Sequence, residues 1–184
     1  MGAQVRYVTA DGNTVPYPPL FDEVRRNHGF VDTRGKPERI AEIPEAKESP
    51  ALAALLTQLA LPGSKFVSLG CDLGQHDEPK ARLSTRRVAG GYVQVIAGRE
   101  ADYTLEFLQK AAKKLESGLK ARVGTDRWQV NLQLSPVLLQ IDEEVEIQSI
   151  WIWFYAKAST SEGAIASRER LIQTIETLTN AMDV

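Results

Sequence analysis

The hydrophobic positions of this chain recur with two different periods. Spacings of three and four residues, typical of amphipathic helices, occur in three segments that begin near Ser49, Asp102 and Ser159. Strict alternation of apolar and polar residues, typical of strands, occurs in most of the remaining segments. The predicted strands are residues 66–71, 80–86, 92–97, 128–134 and 145–157.

Local signals indicate where these elements begin and end. The Ser49 hydroxyl can cap the first helix, and Ser159 with a glutamate three residues later has capping-box spacing for the last one. The Gly90-Gly91 pair is expected to precede the strand that starts at Tyr92, and Pro136 to end the strand that starts at Trp128.

The order of elements defines the expected fold class. It reads helix, three strands, helix, two strands, helix, with short connections between most strands. Short connections favour antiparallel pairing, and amphipathic helices must cover one side of the sheet. We therefore predict an α+β protein with a mainly antiparallel sheet of about five strands and two long amphipathic helices on one face.

The first 48 residues differ from the rest of the chain. They contain five prolines, mixed charge and one short alternating stretch. We interpret residues 1–48 as an extended N-terminal arm, and residues 49–184 as a single α+β domain. Because the arm carries apolar anchors such as Tyr17 and Phe30, we expect it to dock on the domain.

Composition excludes several classes of protein. The chain has 184 residues, 43% of them hydrophobic, and a net charge of −2, which gives no general attraction to nucleic acid or anionic lipid. Its longest strongly apolar run is far shorter than the roughly 20 residues that span a bilayer. Its single cysteine, Cys71, cannot form an internal disulfide. We expect a cytoplasmic protein, of bacterial origin, with no membrane partner.

Charge is nevertheless unevenly distributed. Residues 65–124 hold 11 basic and 7 acidic side chains, whereas residues 125–184 hold 4 and 9. The basic third could attract an acidic protein or nucleic acid. Since no set of stacking aromatics accompanies its lysines, the pattern favours a solvated helix surface over a nucleic-acid site.

One cluster of residues has the chemistry of an active site. Cys71, His76 and Asp77, with neighbouring carboxylates, lie at the end of a strand and in the loop after it. They could act as nucleophile, base and orienting acid, or bind a divalent metal through the imidazole and a carboxylate. The spacing matches no known motif, so a buried thiol beside a solvated loop is the favoured interpretation. The sequence also contains no zinc or nucleotide-binding motif, and we expect no metal or cofactor.

The last predicted strand is apolar on both sides. Alternation places Ile150, Ile152, Phe154 and Ala156 on one side, and Trp151, Trp153 and Tyr155 on the other. The neighbouring strand carries Gln129, Asn131 and Gln133 opposite its apolar side. If the helices cover the aliphatic sides, the second face of the sheet presents aromatic rings beside amides, and such a surface typically marks an interface.

Three occupants of that face remain open: the N-terminal arm, a second copy of the chain, or an external ligand or protein. The leading hypothesis is a non-enzymatic protein-binding module of chaperone, adaptor or inhibitor type, with a protein partner or as a homodimer. It would act through this face or through the charged helix, the helix that begins near Asp102 and carries Lys110, Lys113, Lys114 and Lys120 on its polar side. The alternative is a small enzyme or ligand-binding domain with a pocket between arm and sheet, near Cys71 and His76.

The element order of residues 49–182 is similar to that of type III secretion chaperones. The segment LLTQLALPG resembles the first helix of those small dimers and its exit turn. The resemblance implies a dimeric protein-binding domain. It assigns no role to any residue, and the long N-terminal arm departs from that family.

Overall fold

The computed structural model describes residues 4–7, 12–21, 26–75, 87–122 and 127–182. The predicted strand at residues 80–86 lies outside these ranges. The described strands are β1 (Gln4–Tyr7), β2 (Asn13–Val15), β3 (Leu20–Phe21), β4 (Arg26–Asn27), β5 (Phe66–Gln75), β6 (Arg87–Ala97), β7 (Arg127–Gln140) and β8 (Glu144–Ala158). The α-helices are α1 (Pro44–Glu48), α2 (Pro50–Ala60), α3 (Leu105–Arg122) and α4 (Ser161–Asn180), and 3-10 turns cover Pro37–Glu42 and Glu100–Asp102.

Four long strands form the body of the sheet, in the order β7-β8-β6-β5, and every pair among them is antiparallel. The arm strands β1 and β2 follow one another along the outer edge of β7 and pair with it in parallel. The protein is therefore an α+β protein with a mostly antiparallel, mixed sheet, and the predicted fold class is confirmed. The strands β3 and β4 form a separate small hairpin.

The main core lies between the sheet and the helices. Alternate residues of β6, β7 and β8 point toward α2, α3 and α4, as the hydrophobic pattern predicted. From β8 they are Ile150, Ile152, Phe154 and Ala156, and from β7 they are Trp128, Val130, Leu132 and Leu134. The Trp128 indole donates a hydrogen bond to Ser167 of α4, at 3.0 Å, so its polar end is satisfied inside the core.

Helix ends follow the predicted chemistry with small shifts. Ser49 caps α2 by accepting a hydrogen bond from the amide of Leu52, as predicted. Thr104 caps α3 and Thr160 caps α4, so the predicted caps Asp102 and Ser159 were wrong. In each case a threonine one or two residues further on supplies the hydroxyl at the position where helical backbone begins.

Two predicted strand boundaries were also wrong. Gly90 and Gly91 lie inside β6 rather than before it, because the space that a side chain would need is taken by the Tyr155 ring at Gly90 and by the backbone oxygen of Asp72 at Gly91. Pro136 lies inside β7, between the stretches paired with the described strands β1 and β2. There the missing amide of a proline is tolerated within a strand that otherwise continues.

A bulge in β5 divides its side chains between the two faces of the sheet. The register with β6 shifts between Ser68 and Gly70. Val67 and Leu69 therefore pack on the face away from the helices, whereas Cys71 packs against the helical core. The prediction that these three residues share one side was wrong, since a bulge reverses the alternation of the strand.

Candidate binding face and pocket

The face of the sheet opposite the helices has two halves of different chemistry. One half is apolar and buried, and it consists of Val67, Leu69, Ile96, Val137, Leu139 and Ile147. Val15 of β2 covers this half, with Tyr17 and Phe30 of the arm packed against its margin. The described part of the arm therefore supplies a small second core on this face.

The other half is the aromatic/amide face, made of Trp151, Trp153, Tyr155, Gln129, Asn131 and Gln133. Cross-strand register pairs each ring with an amide: Trp151 with Gln133, Trp153 with Asn131, and Tyr155 with Gln129. All six side chains are partly exposed in the described structure. The structure thus brings together the six residues that the alternation pattern placed on one face.

Tyr92 of β6 joins this set, and sequence analysis did not name it. Its ring centroid lies 4.8 Å from those of both Trp151 and Trp153, which are themselves stacked at 5.7 Å with nearly parallel planes. These separations are typical of favourable aromatic pairs. The alternation of β6 contained the signal, because Tyr92 and Gln94 stand opposite the two tryptophans in register.

A buried amide pair separates the two halves and connects the arm to the sheet. Asn13 of β2 donates to the Gln94 side-chain oxygen at 3.1 Å, and Gln94 donates back to Asn13 at 2.9 Å. Gln94 also donates to Ser149, whose hydroxyl donates to the carbonyl of Ser135. Since Gln94 is almost completely buried, these bonds satisfy an amide that would be costly to leave unpaired.

A pocket of about 940 Å³ opens between the arm, the start of α1 and strand β5. Its sheet side includes the rings of Tyr92, Trp151 and Trp153, so the pocket and the aromatic/amide face are continuous. Tyr17 and residues 27–29 of the arm also line the pocket, as does Glu45 of α1. The volume falls in the range that holds small organic ligands.

Tyr17 reaches the pocket because β5 has a glycine beneath it. The Tyr17 hydroxyl lies 3.5 Å from the Leu69 carbonyl oxygen, to which it donates, and a Cβ at Gly70 would stand 2.7 Å from that hydroxyl. Its ring also makes an edge contact with Phe30, at 6.1 Å between centroids. A side chain at position 70 would therefore displace this wall of the pocket.

Two carboxyl groups, those of Glu45 and Asp72, line the pocket. Burial raises the pKa of Glu45, and the charge of Asp72 raises it further. Burial likewise raises the pKa of Tyr17 to about 12 and that of Tyr92 above its ordinary value, and carboxylates contribute to both shifts. The burial and the nearby negative charges that cause these shifts also disfavour the entry of another anion into the pocket.

The predicted active-site cluster is only partly described. Cys71 borders the pocket, but its side chain packs against the helical core, and burial raises the pKa of its thiol. A protonated thiol is a poor nucleophile. His76 and Asp77 lie outside the described residues, so their distance from Cys71 is not established. Within the ranges that the structure covers, no group of three or more metal-ligating side chains occurs.

A lysine of the charged helix is engaged locally, as is an arginine in the segment before that helix. Lys120 pairs with Glu116 one turn away on α3, at 2.8 Å, and Arg99 pairs with Asp102 at the same distance. Lys110 and Lys113 are exposed on α3. These pairs are typical of a solvated surface, where each contributes little to stability.

No family model matches the chain, and no curated protein or solved structure shows significant similarity to it. The resemblance to type III secretion chaperones therefore rests on the predicted element order alone. In the part of the chain that the structure covers, no helix is long and apolar enough to span a membrane.

Proposed function

We propose that this protein is a non-enzymatic, cytoplasmic binding protein that holds a protein partner on its aromatic/amide face. The single observation that carries the proposal is the set of Trp151, Trp153 and Tyr155, which stay partly exposed while the arm covers the neighbouring apolar half. The class includes chaperones, adaptors and inhibitors.

The composition of the face suits a protein partner. Tryptophan and tyrosine dominate the binding energy of many protein interfaces, because they bury a large area at low cost in side-chain entropy. The amides of Gln129, Asn131 and Gln133 add hydrogen-bonding groups beside each ring. Such a surface can hold a polypeptide through apolar contact and amide hydrogen bonds together.

A second copy of the chain is the other form of protein partner. A twofold dimer would place the same face of two molecules together, so each ring would meet its counterpart or a neighbour near the axis. Native mass spectrometry distinguishes this case, because a homodimer has twice the chain's mass and the substitution Trp153→Arg would abolish it.

The pocket favours a second candidate function, the binding of a small ligand. Its volume is adequate, and arm and sheet enclose it together. The enzymatic version of this hypothesis gains little from Cys71, whose thiol faces the helical core. We therefore keep ligand binding as the second candidate without assigning a catalytic residue.

The test is affinity capture from the source cells with purified wild-type protein and three variants. Trp153→Ala removes an aromatic ring from the face. Gln129→Arg adds a positive charge to the same face and leaves all its rings in place. Lys113→Ala, on the exposed surface of α3, is the control. We expect wild type and Lys113→Ala to capture the same partner, and the captured amount to fall at least tenfold with both face variants. The circular dichroism spectra of all four proteins should be the same. Equal capture by all four proteins would exclude the face as the binding site.

A further inference from the structure

The pocket combines aromatic rings and carboxylates. Among its described lining residues, His28 is the only basic one. Glu45 and Asp72 both line it, and Asp72 stands directly opposite Tyr92 in the strand register. Tyr92, Trp151 and Trp153 line the same pocket, and the Tyr92 ring contacts both indoles. We infer that this pocket is a binding site for an organic cation, an ammonium or guanidinium group on an apolar stem.

Two attractions act on such a group at this place. The face of an indole or phenol ring attracts a cation through the ring quadrupole, and the attraction grows when water is excluded. A carboxylate adds a charge-assisted hydrogen bond to an N–H donor. Rings and carboxylates line the same pocket, so one ligand can use its stem on the rings and its head on Glu45 or Asp72.

Charge argues against the other ligand classes. An anion would meet two carboxylates in a partly dehydrated space, which already raises the pKa values of Glu45, Tyr17 and Tyr92. A neutral aromatic ligand could stack on the rings but would gain no charge-assisted hydrogen bond from either carboxylate. A bare metal ion would fill only a small part of about 940 Å³. An organic cation matches both the volume and the charge.

The test compares three probes that share a benzyl or phenyl group and differ in charge: benzylammonium, benzyl alcohol and benzoate. Binding is followed by the nitrogen-15 NMR signals of the three indole N–H groups. Trp151 and Trp153 line the pocket, whereas Trp128 lies on the opposite face, bonded to Ser167, and serves as an internal reference. We expect benzylammonium to shift the signals of Trp151 and Trp153 alone, with an affinity at least tenfold above that of benzyl alcohol, and benzoate not to bind.

Variants identify the groups that select the charge. Asp72 is exposed and Glu45 is only partly buried, so Asp72→Asn and Glu45→Gln should both fold. We expect each to weaken benzylammonium binding several-fold, and the double variant to bind benzylammonium and benzyl alcohol equally. Glu48→Gln removes an exposed carboxylate from the same short helix, outside the pocket, and should change nothing. Equal affinity for the three probes, or full affinity in the double variant, would overturn the inference.

The inference rests on the proposed function in that both use Trp151 and Trp153, but the two fail separately. If benzylammonium displaces the captured protein, the cation is a lysine or arginine side chain of that partner. Binding without displacement identifies a free small cation as the ligand. If Trp153→Ala loses the captured partner but the wild-type protein does not bind benzylammonium, the cation site is overturned and the proposed function stands. If the wild-type protein binds benzylammonium but captures no partner on the face, the proposed function is overturned and the cation site stands.

Discussion

A single residue in β5, Leu69, decides which side chains meet the pocket and which meet the helices. Val67 and Leu69 both face the arm, as alternation requires. Cys71, two residues after Leu69, faces the helical core instead. Without the bulge, strict alternation would have placed the thiol on the arm side with Val67. The bulge therefore separates the one cysteine from the rings of the aromatic/amide face.

The state of Cys71 provides a prediction at this scale. Because burial and nearby carboxylates raise the pKa of its thiol, little thiolate is present in the folded protein near neutral pH. We expect Ellman's reagent to modify the native protein at least about tenfold more slowly than free cysteine at pH 8, and faster as the pH rises further.

The same protein in guanidinium chloride is the control, since there the thiol regains its ordinary pKa and should react at once. Rapid modification of the native protein at neutral pH would show a reactive thiolate, and would restore the enzyme hypothesis for this residue.

At the scale of elements, β6 and β8 adapt to one another through glycine and aromatic residues. Gly90 stands opposite Tyr155, and a Cβ at Gly90 would lie 2.6 Å from a carbon of the Tyr155 ring. At Gly91 a Cβ would meet the backbone oxygen of Asp72 on β5 first, and the Phe154 ring only at 3.0 Å. A large ring on β8 thus requires an absent side chain at Gly90, whereas the close approach of β5 requires one at Gly91.

We predict that Gly90→Ala destabilises the protein by about 1–3 kcal/mol, because the added methyl group must displace a ring held within a sheet. The free energy of unfolding in urea measures the effect. In the Tyr155→Ala background the same substitution should cost clearly less, since the ring that it would strike is gone. The same cost in both backgrounds would mean that backbone strain, rather than the cross-strand ring, is responsible.

The hydrophobic periodicity, together with the capping and turn residues, was sufficient to predict the four long strands and the three main helices, although not all of their first and last residues. Residues of β7 and β8 repeat with period two over many positions, so the pattern reveals both the strand and its buried side. The strands β1 and β2 have only four and three residues, and although the short alternating stretch of the arm overlaps β1, no local pattern identifies the partner of either strand, which is far away in sequence.

The candidate site was predictable only where one strand contributes several residues. Trp151, Trp153 and Tyr155 alternate on β8, and this alternation alone assigns them to one face. Glu45 and Tyr17 come from separate segments that meet only in three dimensions, so no local pattern connects them with the rings. The cap hydroxyl of Ser49 likewise donates to Glu169 of α4, a tertiary contact that capping rules do not anticipate.

On the scale of the whole molecule, the arm joins the sheet, the second core and the pocket. Its Arg34 bridges Asp32 and Asp142, the latter in the turn between β7 and β8, at 2.9 Å in each case. Asn13 forms the reciprocal amide pair with Gln94 under the centre of the face. Contacts at both places hold the arm against the domain.

We predict that Asn13→Ala loosens the arm, because it leaves the buried Gln94 amide with two lost hydrogen bonds, at a cost of about 1–3 kcal/mol. Hydrogen exchange in peptides covering residues 12–21 should accelerate, while peptides of β8 remain protected. Thr14→Ala, at an exposed position of the same strand, is the matched control and should behave as wild type. Unchanged exchange in Asn13→Ala would show that the amide pair does not hold the arm.

The parallel pairing of the arm also has a consequence for the order of folding. Gln4 pairs with Asn131, and Asn13 with Val137, so these arm residues leave the ribosome long before the strand with which they pair. Contacts of such long sequence separation form late, after local hairpins and helices. The hairpin of β7 and β8 can assemble earlier, with its row of rings already in place. Since the lining of the pocket joins residues of the arm to the sheet, we expect the pocket to be completed only after the sheet has formed, so that the rings of β8 are exposed in the nascent chain before the arm docks beside them.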